Sequence, residues 1–409
     1  MTTTTQSRSD VPAHVPAQCV WEHDFAQFLA EGDDPYLAGA RLHAGPGILW
    51  APTAAHGGPA WIFTRHALIE EGFAEWEKFS SARGANAAVM DSQWLLLPVE
   101  ADKPDHHHYR QVLHPFFTPS AIAGRASGVQ DLCDRLIAGF VDRGHCEFIG
   151  EFASILPNAI VISLLGMPRE MLPQFLAWEH EIIHGKTVEA RFGASQAVIT
   201  YLKDFIAEQK GRPSDEVPEI MAAILAGRMP DRAFTDAEIL GFVYLLFVAG
   251  LDTVYSSLGW IMHHLAGDQA LQQRLRTHPA LIPGAVDEFT RAFGVSAPSR
   301  TVARDMVFHG VPMKAGEAVL LPTFLAGRDP DAWTNPHVID IDRRPRHITF
   351  GTGPHVCLGI HLAKREMRIM IEAFITRMRN IRRPEGGDFA WHTTNTIGVD
   401  RLDLIWDPA

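Results

Sequence analysis

The residues best suited to chemistry fall in four short stretches. The first is FGTGPHVCLG (350–359), which sets Cys357 among Gly351, Gly353, Pro354 and Gly359, just before the helix-like run IHLAKREMRIMIEAF. Three roles are open to that thiol: a small core residue, a nucleophile, or a metal ligand. A nucleophile needs a positioned base, and His355, two residues away, is the only local candidate. Gly351 and Gly353 allow backbone angles closed to other residues. Gly359 removes a side chain beside the sulfur, so a flat or bulky group can approach the main chain. Amides at the start of a following helix favour the thiolate. A dinucleotide loop does not fit, because GxGxxG fails at its last position, Pro354 interrupts it, and no βαβ pattern surrounds it. One thiolate suffices for a metal that brings its other ligands along, as a porphyrin does with four nitrogens.

The second stretch, Ala249-Gly250-Leu251-Asp252-Thr253, puts a glycine, a carboxylate and a hydroxyl inside an apolar helical run. Glycine costs about 1 kcal/mol against alanine there, and a buried unpaired carboxylate costs far more. Either Thr253 bonds its own i−4 carbonyl and Asp252 meets a surface cation, or the pair serves a site. In the third, Glu288-Phe289-Thr290-Arg291, acid and base stand three residues apart; when solvated, such a pair contributes about 0.2–0.5 kcal/mol. The fourth, DHHHYR (105–110), reads as a solvated basic turn, an adventitious metal binder, or an anion site.

These stretches need a scaffold, and the sequence points to helices. Periodicity recurs from about residue 120 to 270 without alternating strands, so the expectation is a mainly α single domain over 1–409 with small β-sheets. Strand-like pieces occur near 48–64 and 301–322. Thr235-Asp-Ala-Glu238 is a capping box that starts a helix running to about Ala266, on the order of 45 Å long and apolar all round up to Gly250. Residues 1–18 read as a flexible arm without the apolar core of a secretory signal. The run Ile239–Leu251 has about 13 residues, short of a membrane span, so no membrane anchor is expected. A net charge of −12 argues against nucleic acid. Cys19, Cys133, Cys146 and Cys357 form no CxxC pair, which fits a reducing cytoplasm and neither zinc nor a disulfide framework.

Phe350-x-x-Gly353-x-x-x-Cys357-x-Gly359 resembles the haem-binding loop of the cytochrome P450 monooxygenases. The other stretches occur in the order that family has them, and the similarity to its soluble, camphor-oxidising bacterial branch extends over nearly the whole chain. The resemblance implies haem b held between the long central helix and the Cys-loop helix, with Cys357 as the iron ligand and Phe350, Gly359, Ala249 and Gly250 against the macrocycle. Thr253 and Asp252 would manage dioxygen and protons. Glu288, Arg291 and Arg343 would brace the loop, and the propionates would meet His106, Arg110, Arg300, His347 and His355. Pro298 stands where the camphor enzyme has an aspartate, which puts one propionate contact in question.

By the same resemblance the substrate pocket comprises Trp94 and Ala85, in place of a tyrosine and a phenylalanine, with Leu245, Val248, Ala249, Ser296, Thr396 and Ile397. An indole is larger and the lost ring opens space, so a neutral terpenoid or norisoprenoid ketone is expected rather than camphor itself. The chain carries no flavin or NAD segment and no iron–sulfur cysteine cluster. A [2Fe-2S] ferredoxin with an NADH-dependent reductase is therefore implied, docking on a monomer near Arg110, Lys364 and Arg365. Two rivals are a haem-thiolate gas or redox sensor and a peroxide-driven hydroxylase; the acid–alcohol pair speaks against both.

Overall fold

The structure, a computed structural model, describes residues 11–55, 57–82, 94–250, 252–394 and 396–408. Seven helices carry the site: α1 (Asp105–Leu113), α2 (Ile155–Leu165), α3 (Leu172–His184), α4 (Asp236–Ala249), α5 (Asp252–Gly267), α6 (Ile282–Ala292) and α7 (Ile360–Arg377). The capping box at the head of α4 is formed. Thr235 Oγ1 accepts from the Glu238 amide at 3.2 Å, and Glu238 Oε2 accepts from the Thr235 amide at 2.7 Å. Each such cap stabilises a helix by about 1 kcal/mol.

Along the expected long helix, Asp236–Gly267, the described residues leave the helical state at Gly250. α4 stops at Ala249, and α5 begins at Asp252. The interruption coincides with Thr253 Oγ1 donating to the Ala249 carbonyl at 3.2 Å, a local bond that competes with the helical ladder. Gly250 is needed for packing: a Cβ there would lie 2.5 Å from Val161 Cγ2 on α2. α4 is also not buried all round. Residues Ile239 to Tyr244 and Phe247 are enclosed, whereas Leu245 and Val248 are half-buried and Ala249 is exposed. Its last turn therefore lacks full protein cover.

Eleven strands are β1 (Ile48–Ala55), β2 (Gly58–Phe63), β3 (Phe79–Ser80), β4 (His145–Glu147), β5 (Ser299–Val302), β6 (Met306–Phe308), β7 (Val311–Met313), β8 (Ala318–Leu320), β9 (Met378–Arg382), β10 (Phe389–Thr393) and β11 (Ile397–Pro408). The two strand-like zones of the sequence meet in one five-stranded sheet, ordered β1-β2-β8-β5-β3. A second sheet pairs β11 with β10, β4 and β9, and β6 pairs with β7. The architecture is thus mainly α with small β-sheets, as expected.

α5 packs against both β11 and α7. Trp260 Nε1 of α5 donates to the Ile397 carbonyl at 3.0 Å. Phe374 of α7 meets Phe152 and Phe148 at ring distances of 4.9 and 5.3 Å. Burying one such phenylalanine stabilises the fold by about 1.5–3 kcal/mol. By length and composition the stretch Asp236–Gly267 could cross a membrane. Of its most apolar window, 41% is buried within the protein.

The arm expected over 1–18 is corrected in its second half. Val15 is buried and His14 Nε2 lies 2.8 Å from Glu317 Oε1, so residues 11–18 pack against the body. Residues 1–10 lie outside the described residues.

Candidate active site

The loop before α7 is shaped by its glycines. Gly351 and Gly353 have φ of +71° and +70°, the left-handed region that penalises a side chain. A Cβ on Gly353 would also come within 3.1 Å of the Phe73 carbonyl oxygen. The turn closes with the Cys357 amide donating to the Phe350 carbonyl at 2.8 Å. On Gly359 a Cβ would sit 3.9 Å from the Cys357 sulfur, an ordinary contact. That glycine keeps space open beside the sulfur without being forced by the fold.

Cys19, Cys133 and Cys146 are buried, while Cys357 is exposed. Yet Cys357 is crowded by protein on most sides, and this desolvation pushes its thiol pKa up. The Gly359 amide, the Arg110 guanidinium and the Ile360 amide pull the other way. The expectation of a thiolate poised by helix-start amides is met in geometry but outweighed by burial in the bare chain. A sulfur in such a place ionises when a metal cation takes it.

Beside the loop is a cluster of cationic and imidazole groups. Arg110 of α1 donates to the Val356 carbonyl at 2.7 Å. His106, one turn earlier, meets His355 with ring centroids 4.1 Å apart. Arg300 of β5 is 6 % exposed and lies over the Phe73 ring at 5.5 Å. Neither arginine forms an ion pair among the described residues, and His106 Nε2 is buried without a partner. Burial lowers the His106 pKa to about 4, with Arg110 adding to it, and lowers His355 to about 3, with His106, Arg300 and Arg110 adding. Desolvation also brings Arg300 down to about 10. Two arginines without an ion pair among the described residues thus stand around two imidazoles.

His347 is not part of that cluster. Its Nδ1 accepts from the Thr349 amide at 3.3 Å, and burial lowers its pKa to about 4 with Lys364 adding, next to Asp287. Lys364 itself is paired with Asp287 at 2.7 Å. One of the three cations expected on the docking face is thus already neutralised.

Glu288, Arg291 and Arg343 form a closed ionic knot. Arg291 Nε and Nη2 donate to the two Glu288 oxygens at 2.8 and 2.7 Å, and Arg343 Nε donates to Oε1 at 3.1 Å. The Asp340 amide completes the carboxylate at 2.9 Å. Remaining guanidinium protons reach backbone carbonyls, including Pro336 and Thr334. Glu288 and Arg291 are both 0 % exposed, so this is no solvated helix pair. From the same helix, the Thr290 carbonyl accepts from Thr349 Oγ1 at 3.0 Å, tying α6 to the loop that carries Phe350.

At the α4–α5 break, Asp252 does not meet a cation among the described residues. Its carboxylate accepts from Ser256 Oγ at 2.9 Å and from Thr396 Oγ1. Glu179 of α3, bonded to Asn158 Nδ2 at 3.0 Å, is buried, and burial with repulsion from Asp252 raises its pKa to about 8. Tyr255 is raised by burial and by the same Asp252 charge. Sequence reasoning missed Glu179; its signal was an acid on the apolar face of FLAWEHEII. Glu366 on α7 is a second buried acid, pushed up to about 8 by desolvation.

Ser296, Thr396 and Ile397 come together, Ser296 and Thr396 in a β-bridge. They line a cleft of about 880 Å³ of atom-free space, partly open to solvent, shared with Phe25, Leu29, Ala54 and Ala55. Trp94 packs on Tyr244 of α4, ring centroids 5.1 Å apart, one residue before Leu245. Ala85 lies outside the described residues. Pro298 accepts the Leu321 amide through its carbonyl at 2.9 Å and borders the same cleft.

Comparison with known proteins places this geometry in context. A family model described as cytochrome P450 matches residues 158–386. The chain is 29% identical over 406 residues to a probable cytochrome P450 127A1 of Sinorhizobium fredii, covering 97% of each chain. It is 26% identical over 343 residues to a steroid C26-monooxygenase of Mycolicibacterium smegmatis, covering 81% of this chain and 84% of the relative. The crystal structure of CYP101J2 superposes with a TM-score of 0.86 at 29% identity, covering 98% of this chain and 100% of that one.

Proposed function

Because the chain belongs to the cytochrome P450 family and is a haem b monooxygenase of that family, we propose that it hydroxylates a small hydrophobic terpenoid or norisoprenoid ketone. In this reading O2 is the oxidant, and electrons come from a [2Fe-2S] ferredoxin and its NADH-dependent reductase in the cytoplasm. Haem, when bound, supplies the activation of dioxygen, which consumes two electrons and two protons and leaves one oxygen atom in the product.

Cys357 is proposed as the iron ligand. Supporting this are its open face, the space Gly359 leaves beside it, and a loop held by the Cys357–Phe350 bond and the Thr349–Thr290 tie. Arg110, Arg300, His106 and His355 would hold the propionates; the two guanidinium groups, without a carboxylate partner among the described residues, match two carboxylates in number and sign, with the imidazoles beside them. His347 is assigned only to the loop's outer side. Ala249 and Gly250 would flank the ring and Phe350 would underlie it. The single observation that carries the reading is this pairing of an accessible cysteine with two arginines that have no carboxylate partner among the described residues.

Around the reacting carbon the chain's tasks are positioning and proton control. Thr396 Oγ1 bridges the cleft wall to the Asp252 carboxylate, so a molecule in the cleft adjoins the acid. Thr253, whose hydroxyl is held by the Ala249 carbonyl, would present its oxygen as an acceptor for a proton that Asp252 passes on. Leu245, Val248, Ser296 and Ile397, with Trp94 and Ala85, would shape an apolar lining suited to a terpenoid ketone. The reconstituted holoprotein, fed a terpenoid panel, should give a hydroxylated product per NADH consumed and displace iron-bound water on substrate binding. Reduced holoprotein under carbon monoxide should show the red-shifted band of sulfur ligation, lost in Cys357→His; a band unchanged in that variant overturns the ligand assignment.

A further inference from the structure

Away from the cysteine loop, helix α3 ends in His180-Glu181-Ile182-Ile183-His184. Two histidines four residues apart project from one face of a helix, the spacing that helical zinc sites use. Their rings lie 4.8 Å apart. The β10–β11 hairpin brings two more candidate ligands to the same place. His392 Nδ1 is 2.5 Å from Asp400 Oδ1, and His184 Nε2 is 3.3 Å from that same oxygen. Ligand atoms of His184, His392 and Asp400 all fall within 4.8 Å of one another.

We infer that His184, His392 and Asp400 form a binding site for a divalent transition-metal ion of the Zn2+ type. Ligand atoms about 2.0–2.2 Å from a tetrahedral zinc are roughly 3.3 Å from each other. The His184–Asp400 separation already has that value. The His392–Asp400 separation reaches it if the carboxylate of Asp400, 29 % exposed, swings outward. His392 is fixed for the role. Its Nε2 is buried without a partner against Gly398, where a Cβ would come within 2.5 Å of that nitrogen. Only Nδ1 therefore faces the cluster, and the ion replaces the proton it shares with Asp400. Two neutral imidazoles and a carboxylate with a remaining open position are a donor set borderline cations favour over Mg2+ or Ca2+. The Asp252 carboxylate acts on both histidines and adds negative potential. Thr393, beside His392, lines the cleft, so the ion clamps α3 onto a cleft wall.

The site does not depend on the haem reading, and its test reads binding. Untagged holoprotein is titrated with Zn2+ by calorimetry and its zinc-edge X-ray absorption is recorded. One equivalent should bind with imidazole scattering and raise the melting temperature. His184→Ala and Asp400→Asn should each weaken binding at least about tenfold, the scale that removal of even an outer partner costs. Both residues are partly exposed, and unchanged melting without zinc establishes that the variants fold. His107→Ala/His108→Ala, which removes the exposed histidines of α1, should leave binding intact. No stoichiometric binding, ligand variants that bind as tightly as the unaltered protein, or loss in the α1 variant overturns the assignment.

Discussion

Two buried ionic centres flank the cysteine loop and differ in one respect. At Glu288, Arg291 and Arg343 one carboxylate is shared by two guanidinium groups, and backbone carbonyls take the remaining protons. At Arg110, Arg300, His106 and His355 two side chains, Arg300 and His106, are buried, two are half-buried, and no carboxylate pairs with either arginine among the described residues. The first centre is finished by folding alone. The second leaves Arg300 desolvated without a counter-charge among the described residues, which is costly and which a bound anion would relieve. A buried charge cluster is a binding site to the extent that it is left incomplete.

Breaking the finished centre should cost most. Glu288→Ala strands two guanidinium groups, and removal of one partner of a buried pair costs about 3–5 kcal/mol. The variant should melt far lower whether or not haem is present, as read by thermal unfolding. Arg300→Met removes a charge from the unfinished centre and should split by state. The haem-free chain should hold or gain stability, while the holoprotein loses haem faster by roughly tenfold or more, given about 1.5–3 kcal/mol per hydrogen bond to a charged group. Equal destabilisation of both forms would make Arg300 a second structural charge.

Acid sharpens the contrast further. His106 and His355 have pKa values lowered to about 4 and about 3, below the ordinary value of 6.5, so the unfolded chain takes up protons before the folded one. Their contribution is fully present above pH 6.5 and is lost as pH falls from 6.5 through 4 toward 3. Haem propionates beside them would favour the protonated forms, so the acid limb of stability should be steeper in haem-free protein than in holoprotein. The smallest expected effect on stability is that of Thr253→Ala, which deletes one hydrogen bond worth about 1 kcal/mol. Its signature should be functional: NADH consumption continues while product per NADH falls and peroxide rises.

How much of this could be read from residues alone depended on how local the cause was. The capping box at Thr235 and the left-handed glycines of the loop are short-range and were legible. Glu288 and Arg291 looked like a solvated pair on their own, and only the resemblance brought Arg343 to them; burial is a property of the packed molecule. The resemblance grouped His347 with the propionates, but its ring lies by Lys364 and Asp287, and His355 takes the place beside Arg110 and Arg300. Glu179 was invisible because its charge matters through Asp252, 73 positions away in sequence. The i−4 bond of the Thr253 hydroxyl, one of the two roles read from the sequence, is formed.

The contact between Gly250 and Val161 ties the helix break to a neighbour 89 positions earlier. Enlarging position 250 requires Val161 to shift or shrink, so the two positions are sterically coupled. Any attempt to reshape the α4–α5 junction has to recast the middle of α2 in the same step.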